Sequence, residues 1–333
     1  MRRPVVVVVV LLLLLHATAH ATAADVQPLE SSTPVSTPLK PLVYITIFCG
    51  KSYYVDMLKL LLQSMTVFGK YSGDLLLITD EQMKAVLQDV QGVLQGFTVH
   101  YLLQPPCEGR FMSSARKLNV FDFPGLRRFS PVLYLDLDVL VVRPLASVFA
   151  ALDHAELLYA GVEPETFCSN YKAGALLNIP EGGRNITADG IPIDRYNVSC
   201  SSPGFSAGLF MFAPHDRIRS LFNRTMERIM TWIRSGTVTP SCLEQPFMNF
   251  FFVLEHSLHV PGISKFVMDY MPQGSGRRNS GARYRAQAER KMQILRSHKK
   301  VLIHFATGNS KGVSGPKVDK RVSMQHVFAQ LKT

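Results

Sequence analysis

Residues 42–135 alternate short apolar segments with helical ones, and this alternation limits the fold more than any other feature of the 333-residue sequence. The predicted strands are nearly continuous apolar runs, at 42–48, 75–79, 97–103 and 132–135. The predicted helices between them include a face formed by Val55, Leu58, Leu61, Leu62 and Met65, then segments 81–93 and 113–121. Strands that are apolar on both sides are typical of parallel sheets with helices on both faces. The pattern predicts a doubly wound α/β fold.

The second half of the chain does not continue the regular alternation of strands and helices. Residues 161–204 are rich in Gly, Pro, Asn and Ser, which predicts a long loop region. Beyond it we expect strands at 208–212 and 301–305 and helices at about 215–233 and 244–254. The predicted domain therefore runs from 42 to 315, with a nucleotide-binding half (42–145) and an acceptor half (146–315), followed by a C-terminal tail (316–333).

The N-terminus has the features of a secretory signal peptide. Two arginines precede an apolar run from Val5 to Leu15, and an Ala-x-Ala site follows that plausibly ends at Ala23. The run is short for a membrane span, so cleavage is favoured over retention as an anchor. Residues 24–41 form a Pro/Ser/Thr linker that we expect to be disordered. The expected location is the secretory pathway lumen (Golgi or ER) or outside the cell, and a membrane is a partner only if the signal is retained.

Sequons and cysteines fit this compartment. Asn185, Asn197 and Asn223 each begin an Asn-x-Ser/Thr sequon. The five cysteines lack metal-type spacing, so one or two disulfides are expected, with at least one thiol outside them. We favour a bridge between Cys168 and Cys200, because both lie in the loop-rich region.

The net charge of +11 comes mainly from one segment. Residues 277–300 contain nine Lys or Arg and one acidic residue, Glu289. A secreted protein rarely meets nucleic acid, so no nucleic-acid partner is expected. The segment is either a solvated basic helix, a patch for an anionic acceptor or glycan, or a membrane-surface contact.

Two carboxylates interrupt the apolar run 131–143. Asp136 and Asp138 follow a predicted strand, and at positions i and i+2 of extended backbone they project to the same side. Buried carboxylates are costly unless a cation compensates them, and two together suit a hard ion such as Mn²⁺ or Mg²⁺. The residues alone also allow a strand end whose aspartates face water. Ligands of such sheets bind at the carboxyl ends of the strands, which is where this pair falls.

Four sequence blocks resemble the retaining nucleotide-sugar glycosyltransferases of family 8, which includes glycogenin and bacterial lipopolysaccharide galactosyltransferases. The most specific block combines Ala115-Arg-Lys-Leu118 with Val132-Leu-Tyr-Leu-Asp-Leu-Asp-Val-Leu-Val-Val-Arg-Pro-Leu145. The others, in the family's order, are Phe205-Ser-Ala-Gly-Leu-Phe-Met-Phe212, Glu244-Gln-Pro-Phe-Met-Asn249 and His304-Phe-Ala-Thr-Gly-Asn-Ser-Lys311. The resemblance implies a GT-A (Rossmann-like) fold with a mixed, mostly parallel sheet flanked by helices in a single large domain.

The resemblance also implies a donor site. Its metal ligands would be Asp136, Asp138 and His304, and an imidazole suits Mn²⁺ better than Mg²⁺, although Mg²⁺ is possible. The cation would neutralise the diphosphate of a UDP-sugar. The residues that would bind the nucleotide sugar are Tyr54 against the uracil ring, Lys117 and less surely Arg116, Ser206, Gly308 and Lys311.

Glu244 and Gln245 fall where the family contacts the donor sugar. A neutral amide is a poor nucleophile, which favours attack from the leaving-group side with Gln245 stabilising charge. Glu244 as a covalent nucleophile is the alternative. The sequence departs from the family at three places: Glu244 replaces Asp, Ser206 replaces Asn, and the last block has one extra residue and lacks the Pro-Trp that usually follows its Lys.

The sequence thus predicts a metal-dependent retaining hexosyltransferase that uses a UDP-sugar and a glycan, glycoprotein or glycolipid acceptor. UDP-glucose, UDP-galactose and UDP-N-acetylglucosamine stay open as donors, with the hexoses ahead. Two other functions stay open: a non-catalytic secreted binding protein on the same scaffold, and a hydrolase of nucleotide sugars.

Overall fold

The computed structural model describes residues 39–49, 52–88, 91–106, 109–168, 176–178, 186–187, 197–237, 239–240, 242–269, 293, 300–305 and 320–332. The strands are β1 (Lys40–Thr46), β2 (Asp74–Thr79), β3 (Thr98–Leu103), β4 (Phe129–Leu135), β5 (Val139–Val141), β6 (Leu158–Thr166), β7 (Leu177–Asn178), β8 (Ile186–Thr187), β9 (Pro203–Phe212), β10 (Leu258–His259), β11 (Val267–Asp269) and β12 (Leu302–His304). The helices are α1 (Ser52–Val67), α2 (Glu81–Gln88), α3 (Gln91–Leu94), α4 (Arg110–Ala115), α5 (Ala146–Phe149), α6 (Asp216–Arg234), α7 (Gln245–Leu254) and α8 (Lys320–Lys332). None of these described helices is both long enough and apolar enough to cross a membrane.

Seven strands form the main sheet, in the order β10-β6-β9-β4-β1-β2-β3. Within it β1 pairs in parallel with β2 and β4, β2 with β3, and β10 with β6. The strand β9 is antiparallel to both of its neighbours, β4 and β6. The prediction of a mixed, mostly parallel sheet flanked by helices is confirmed.

The central strands are buried on both faces, as their continuous apolar sequence predicts. In β1, Leu42 and Tyr44 pack into one hydrophobic cluster and Val43 and Ile45 into another, and all four are fully buried. Successive side chains of a strand point to opposite faces, so each cluster fills one side of the sheet. The predicted apolar face of α1 belongs to the second cluster.

The end of β4 is the place where two sheets meet. Asp136 and Asp138 lie between β4, a central strand of the main sheet, and β5, an edge strand of a smaller sheet with the order β11-β12-β5. In that sheet β12 is antiparallel to β5 and places His304 opposite Val139. The fold thereby brings a residue near the end of the chain beside the two aspartates.

Two segments differ from the sequence prediction. The predicted helix at 113–121 is α4 followed by a 3-10 helix, Arg116–Asp122, whose tighter winding buries Lys117, Leu118 and Val120. The predicted loop at 161–204 begins with most of β6. The Gly and Pro content of this region predicted a loop, but β6 contains Gly161 and Pro164 and shows register shifts in its pairing with β9.

The C-terminal boundary also differs. Residues 320–332 form the helix α8 and not a tail, and Met324, Val327 and Phe328 pack with Met57 of α1 and Ile303 of β12. The chain from Leu39 to Thr333 forms one compact unit, so the domain extends past the predicted limit at 315.

The favoured disulfide is present, because Cys168 is bonded to Cys200. Cys49 is also disulfide-bonded. The predicted signal peptide, nearly all of the linker 24–41, the sequon at Asn185 and most of the basic segment 277–300 lie outside the described residues.

Candidate functional site

Asp136 and His304 direct ligand atoms toward one small space beside Gly208, and Asp138 lies next to His304. The backbone N–H of Asp136 donates to the Gly208 carbonyl at 2.8 Å, which holds the end of β4 against β9. A methyl group built on Gly208 would lie 2.8 Å from His304 Nε2 and 3.1 Å from Asp136 Oδ2. His304 Nε2 lies 3.7 Å from Asp138 Oδ1. The glycine therefore leaves a space between Asp136 and His304, with Asp138 beside the imidazole.

These side chains fit a divalent cation. Asp138 Oδ1 is buried and accepts no hydrogen bond from the described residues, an arrangement that a cation would satisfy. Burial alone would raise the pKa of Asp138, but the charges of Lys320 and His304 outweigh it and hold the pKa below its usual value. Two carboxylates and one imidazole suit Mn²⁺.

Asp269 fixes the orientation of the His304 ring. Its Oδ1 lies 3.1 Å from His304 Nδ1, at the end of β11 and directly opposite His304 in the β11–β12 pairing. A carboxylate that accepts the Nδ1 proton leaves the Nε2 lone pair to face the space beside Gly208. Burial lowers the pKa of His304, but the hydrogen bond to Asp269 and the charge of Asp138 raise it above its ordinary value.

We expect Asp269→Asn to weaken Mn²⁺ binding by about 10–100-fold, the range for a lost carboxylate behind a metal-binding histidine. Mn²⁺ titration followed by electron paramagnetic resonance measures this. The matched control is Asp74→Asn, since Asp74 makes a similar pair with His100, at 2.7 Å, between β2 and β3. Equal effects of the two substitutions would contradict a role of Asp269 in cation binding.

Lys117 is the buried centre of the site. Only 1% of its side chain is exposed, and Nζ lies 2.7 Å from Glu244 Oε1, 3.2 Å from Asp136 Oδ1 and 3.0 Å from the Ala207 carbonyl. Burial lowers the pKa of Lys117, but the two carboxylates outweigh it and raise the pKa. The ammonium has three N–H donors, and these three acceptors use them. In the structure Lys117 holds Asp136 and Glu244 in place, and its predicted contact with the nucleotide stays a prediction.

Tyr134 and Lys320 complete the surroundings of the aspartates, and sequence reasoning missed both. The Tyr134 hydroxyl donates to Asp136 Oδ1, and its ring lies 4.4 Å from Lys117 Nζ. Lys320, the first residue of α8, donates to Asp138 Oδ2. Arg321 forms an ion pair with Asp56 of α1 at 3.0 Å, which anchors the start of α8 beside the site.

The start of α7 is attached to β9 by two side-chain amides. Gln245 Oε1 accepts from the Ala207 N–H at 3.0 Å. Asn249 bonds to both backbone groups of Phe205, accepting from N at 2.8 Å and donating to O at 2.9 Å. Ser206, which is buried between these residues, accepts from the Gly208 N–H through Oγ at 3.2 Å. These bonds place Glu244 and Gln245 beside the aspartates.

Four predicted site residues are not part of this cluster as described. Tyr54 is half-buried on α1 and makes an edge contact with Tyr53 at 5.6 Å. Arg116 donates to Gln104 Oε1 at 3.4 Å. Gly308 and Lys311 lie outside the described residues.

Comparison with known proteins supports the predicted fold. No protein-family model and no curated protein matches the sequence. The apo structure of WbbM, a bifunctional glycosyltransferase, is similar over 89% of this chain with 16% identity and a TM-score of 0.52. The chain covers half of WbbM. With the sheet order above, this similarity confirms the predicted GT-A, Rossmann-like fold.

Two further similar structures have lower TM-scores. The apo-form glycosyltransferase GlyE of Streptococcus pneumoniae TIGR4 has a TM-score of 0.46 and 12% identity, with 88% of this chain and 62% of GlyE covered. The galactosyltransferase LgtC, in complex with donor and acceptor sugar analogues, has a TM-score of 0.45 and 14% identity, with 88% and 96% covered. Membership of family 8 stays a prediction from the sequence blocks.

Proposed function

We propose that this chain is a divalent-cation-dependent glycosyltransferase that moves a hexose from a UDP-sugar to a glycan, glycoprotein or glycolipid. The placement of Asp136 and His304 beside Gly208, with Asp138 3.7 Å from the His304 imidazole, carries the proposal. The fold supports it, because WbbM, which shares the fold, is a glycosyltransferase. The imidazole favours Mn²⁺ over Mg²⁺ as the cation.

A bound cation would neutralise the charge that develops on the diphosphate leaving group. The protein's own part is to keep the ligands in position. Lys117 fixes Asp136 from the buried side, Asp269 fixes His304, and Lys320 supplies a positive charge to Asp138. Lys320 is 20% exposed at its side chain, whereas Lys117 is 1% exposed.

Retention of configuration through a front-face reaction fits the positions of Glu244 and Gln245. Glu244 is 5% exposed and paired with Lys117, so its carboxylate is directed into the protein and is poorly placed to attack a sugar. Gln245 is only half-buried at the start of α7. In this proposal Gln245 stabilises charge near the donor sugar, and Glu244 positions Lys117.

A lumenal or extracellular location completes the proposal. The disulfide between Cys168 and Cys200 supports it, because disulfides persist in oxidising compartments. The sequon at Asn197 is exposed in a turn next to this disulfide and is accessible to glycosylation.

Calorimetric titration of UDP into the chain, with Mn²⁺ and with chelator, tests the proposed function. We expect binding that requires Mn²⁺ and is lost in Asp138→Asn. Binding that is insensitive to chelator, or absent throughout, would contradict the proposal and favour a non-catalytic scaffold. If UDP binds, donor consumption with and without acceptors separates transfer from hydrolysis.

Lys320→Gln is expected to increase the affinity of the nucleotide-free chain for Mn²⁺ by about tenfold, because a competing ammonium leaves Asp138. Electron paramagnetic resonance of free Mn²⁺ measures the change. Arg321→Gln is the control: it also removes a positive charge from the start of α8, but the Arg321 partner is Asp56. A similar gain in both variants would point to net charge as the cause.

A further inference from the structure

A second group of potential metal ligands lies outside the cluster around Asp136. Asp153 and His154 follow α5, and His259 lies on β10, the edge strand of the main sheet. One ligand atom from each of the three side chains lies within 4.8 Å of the other two. Residues more than a hundred positions apart in the sequence thus meet at one place.

Tyr159 contacts all three residues of this group. Its hydroxyl oxygen accepts from the backbone N–H groups of Asp153, at 3.2 Å, and His154, at 2.9 Å, and it donates to Asp153 Oδ1. The Tyr159 ring stacks on the His259 ring, with centroids 4.2 Å apart and planes at 21°. Since Tyr159 is fully buried, the loop and the strand are fixed relative to each other before any ligand binds.

The ring of His259 has hydrogen-bonding capacity that the described residues do not use. Its Nδ1 is buried and has no hydrogen-bond partner among the described residues. Buried polar atoms are usually paired, so the described residues leave part of the hydrogen-bonding capacity of this ring unused. The His154 ring, 5.8 Å from the His259 ring, is more than half exposed and can turn toward it.

We propose that Asp153, His154 and His259 bind Zn²⁺. Two imidazoles and one carboxylate are a common ligand set for Zn²⁺, whereas Mg²⁺ and Ca²⁺ prefer oxygen ligands. Ligand atoms of a tetrahedral zinc site lie about 3.3 Å apart, from Zn–ligand bonds of about 2.0–2.1 Å. Asp153 and His154 are 66% and 53% exposed, so rotation of these side chains closes the remaining separation.

Zinc at this position would link the loop after α5 to the edge strand β10. Because the three ligands come together only in the folded chain, bound Zn²⁺ would stabilise the fold. At a hundredfold excess over the dissociation constant, we expect the Tm to rise by about 5 °C. This site is independent of the proposed transferase function.

Zn²⁺ titration of the full chain, by calorimetry and thermal unfolding, tests the proposal. The background variant is Asp138→Asn, which removes one ligand of the other candidate cation site and so weakens competing binding there. We expect one Zn²⁺ equivalent, with the affinity lowered at least about 100-fold by either His154→Gln or His259→Gln.

The control is His326→Gln, a change at an exposed histidine of α8, which should leave the Zn²⁺ affinity unchanged. His154 is exposed, so its substitution tests the site even if His259→Gln impairs folding. Zinc binding that survives His154→Gln, or no zinc binding in the background variant, would overturn the proposal.

Discussion

Gly208→Ala is expected to abolish the Mn²⁺-dependent binding of UDP, with a loss of at least about 100-fold in affinity, while the chain stays folded. The added methyl group would lie 2.8 Å from His304 Nε2 and 3.1 Å from Asp136 Oδ2, in the space that the ligands surround. Since Asp269 restrains His304, the imidazole cannot move aside without breaking that hydrogen bond. Calorimetry of UDP binding in Mn²⁺ measures the loss, and circular dichroism establishes that the fold is intact.

Gly161→Ala is the matched control. Gly161 lies on β6, next to β9, and among the described residues a methyl group there would meet Leu209 at 3.5 Å and Val267 at 3.9 Å, which are ordinary contacts. UDP binding by this variant should equal that of the unmodified chain. Retained Mn²⁺-dependent binding in Gly208→Ala would show that the cation does not occupy the space beside Gly208.

Lys117→Met is expected to lower the free energy of unfolding by about 3–5 kcal/mol, the range for removing one partner of a buried ion pair. The substitution leaves Glu244, which is 6% exposed at its side chain, without its cation and removes a hydrogen bond from Asp136. Burial already raises the pKa of Asp136 despite Lys117, so loss of the lysine would raise it further. Denaturant unfolding at neutral pH measures the effect.

Two further variants test whether the loss of stability in Lys117→Met comes from the broken ion pair. Lys84→Met removes a surface lysine whose nearest carboxylate is Glu81, at 3.8 Å, and should change the free energy of unfolding by less than about 1 kcal/mol. The double change Lys117→Met with Glu244→Gln should recover part of the loss, because no charge is then left unpaired at position 244. Equal losses in the single and double variants would contradict the ion-pair explanation.

The parts of the structure that local sequence determines were predictable. Apolar strands and the helical spacing of α1 predicted the parallel part of the sheet, and the position of Asp136 and Asp138 after a predicted strand matches the end of β4. The favoured pairing of Cys168 and Cys200 is also present.

The parts that depend on tertiary packing were not predictable. Asp269 acts on His304 because β11 pairs with β12, and no local motif marks it. Lys320 lies in a segment that the sequence analysis predicted to be a tail. The few apolar residues of α8 do not mark a helix by themselves, and their role is visible only from their packing against α1. The sequence block of Lys117 predicted a contact with the nucleotide, whereas its burial in the 3-10 helix and its pairing with Asp136 and Glu244 depend on the packed structure.

The link between Asp138 and α8 has a consequence for synthesis of the chain. Lys117 precedes Asp136 by 19 residues, so the two are made almost together, but Lys320 follows Asp138 by 182 residues. At a translation rate of about 5–20 residues per second, Lys320 is added roughly 10–35 s after Asp138. Lys320 therefore pairs with Asp138 only after the start of α8 has left the ribosome, and until then Asp138 Oδ2 depends on water for its hydrogen bonds.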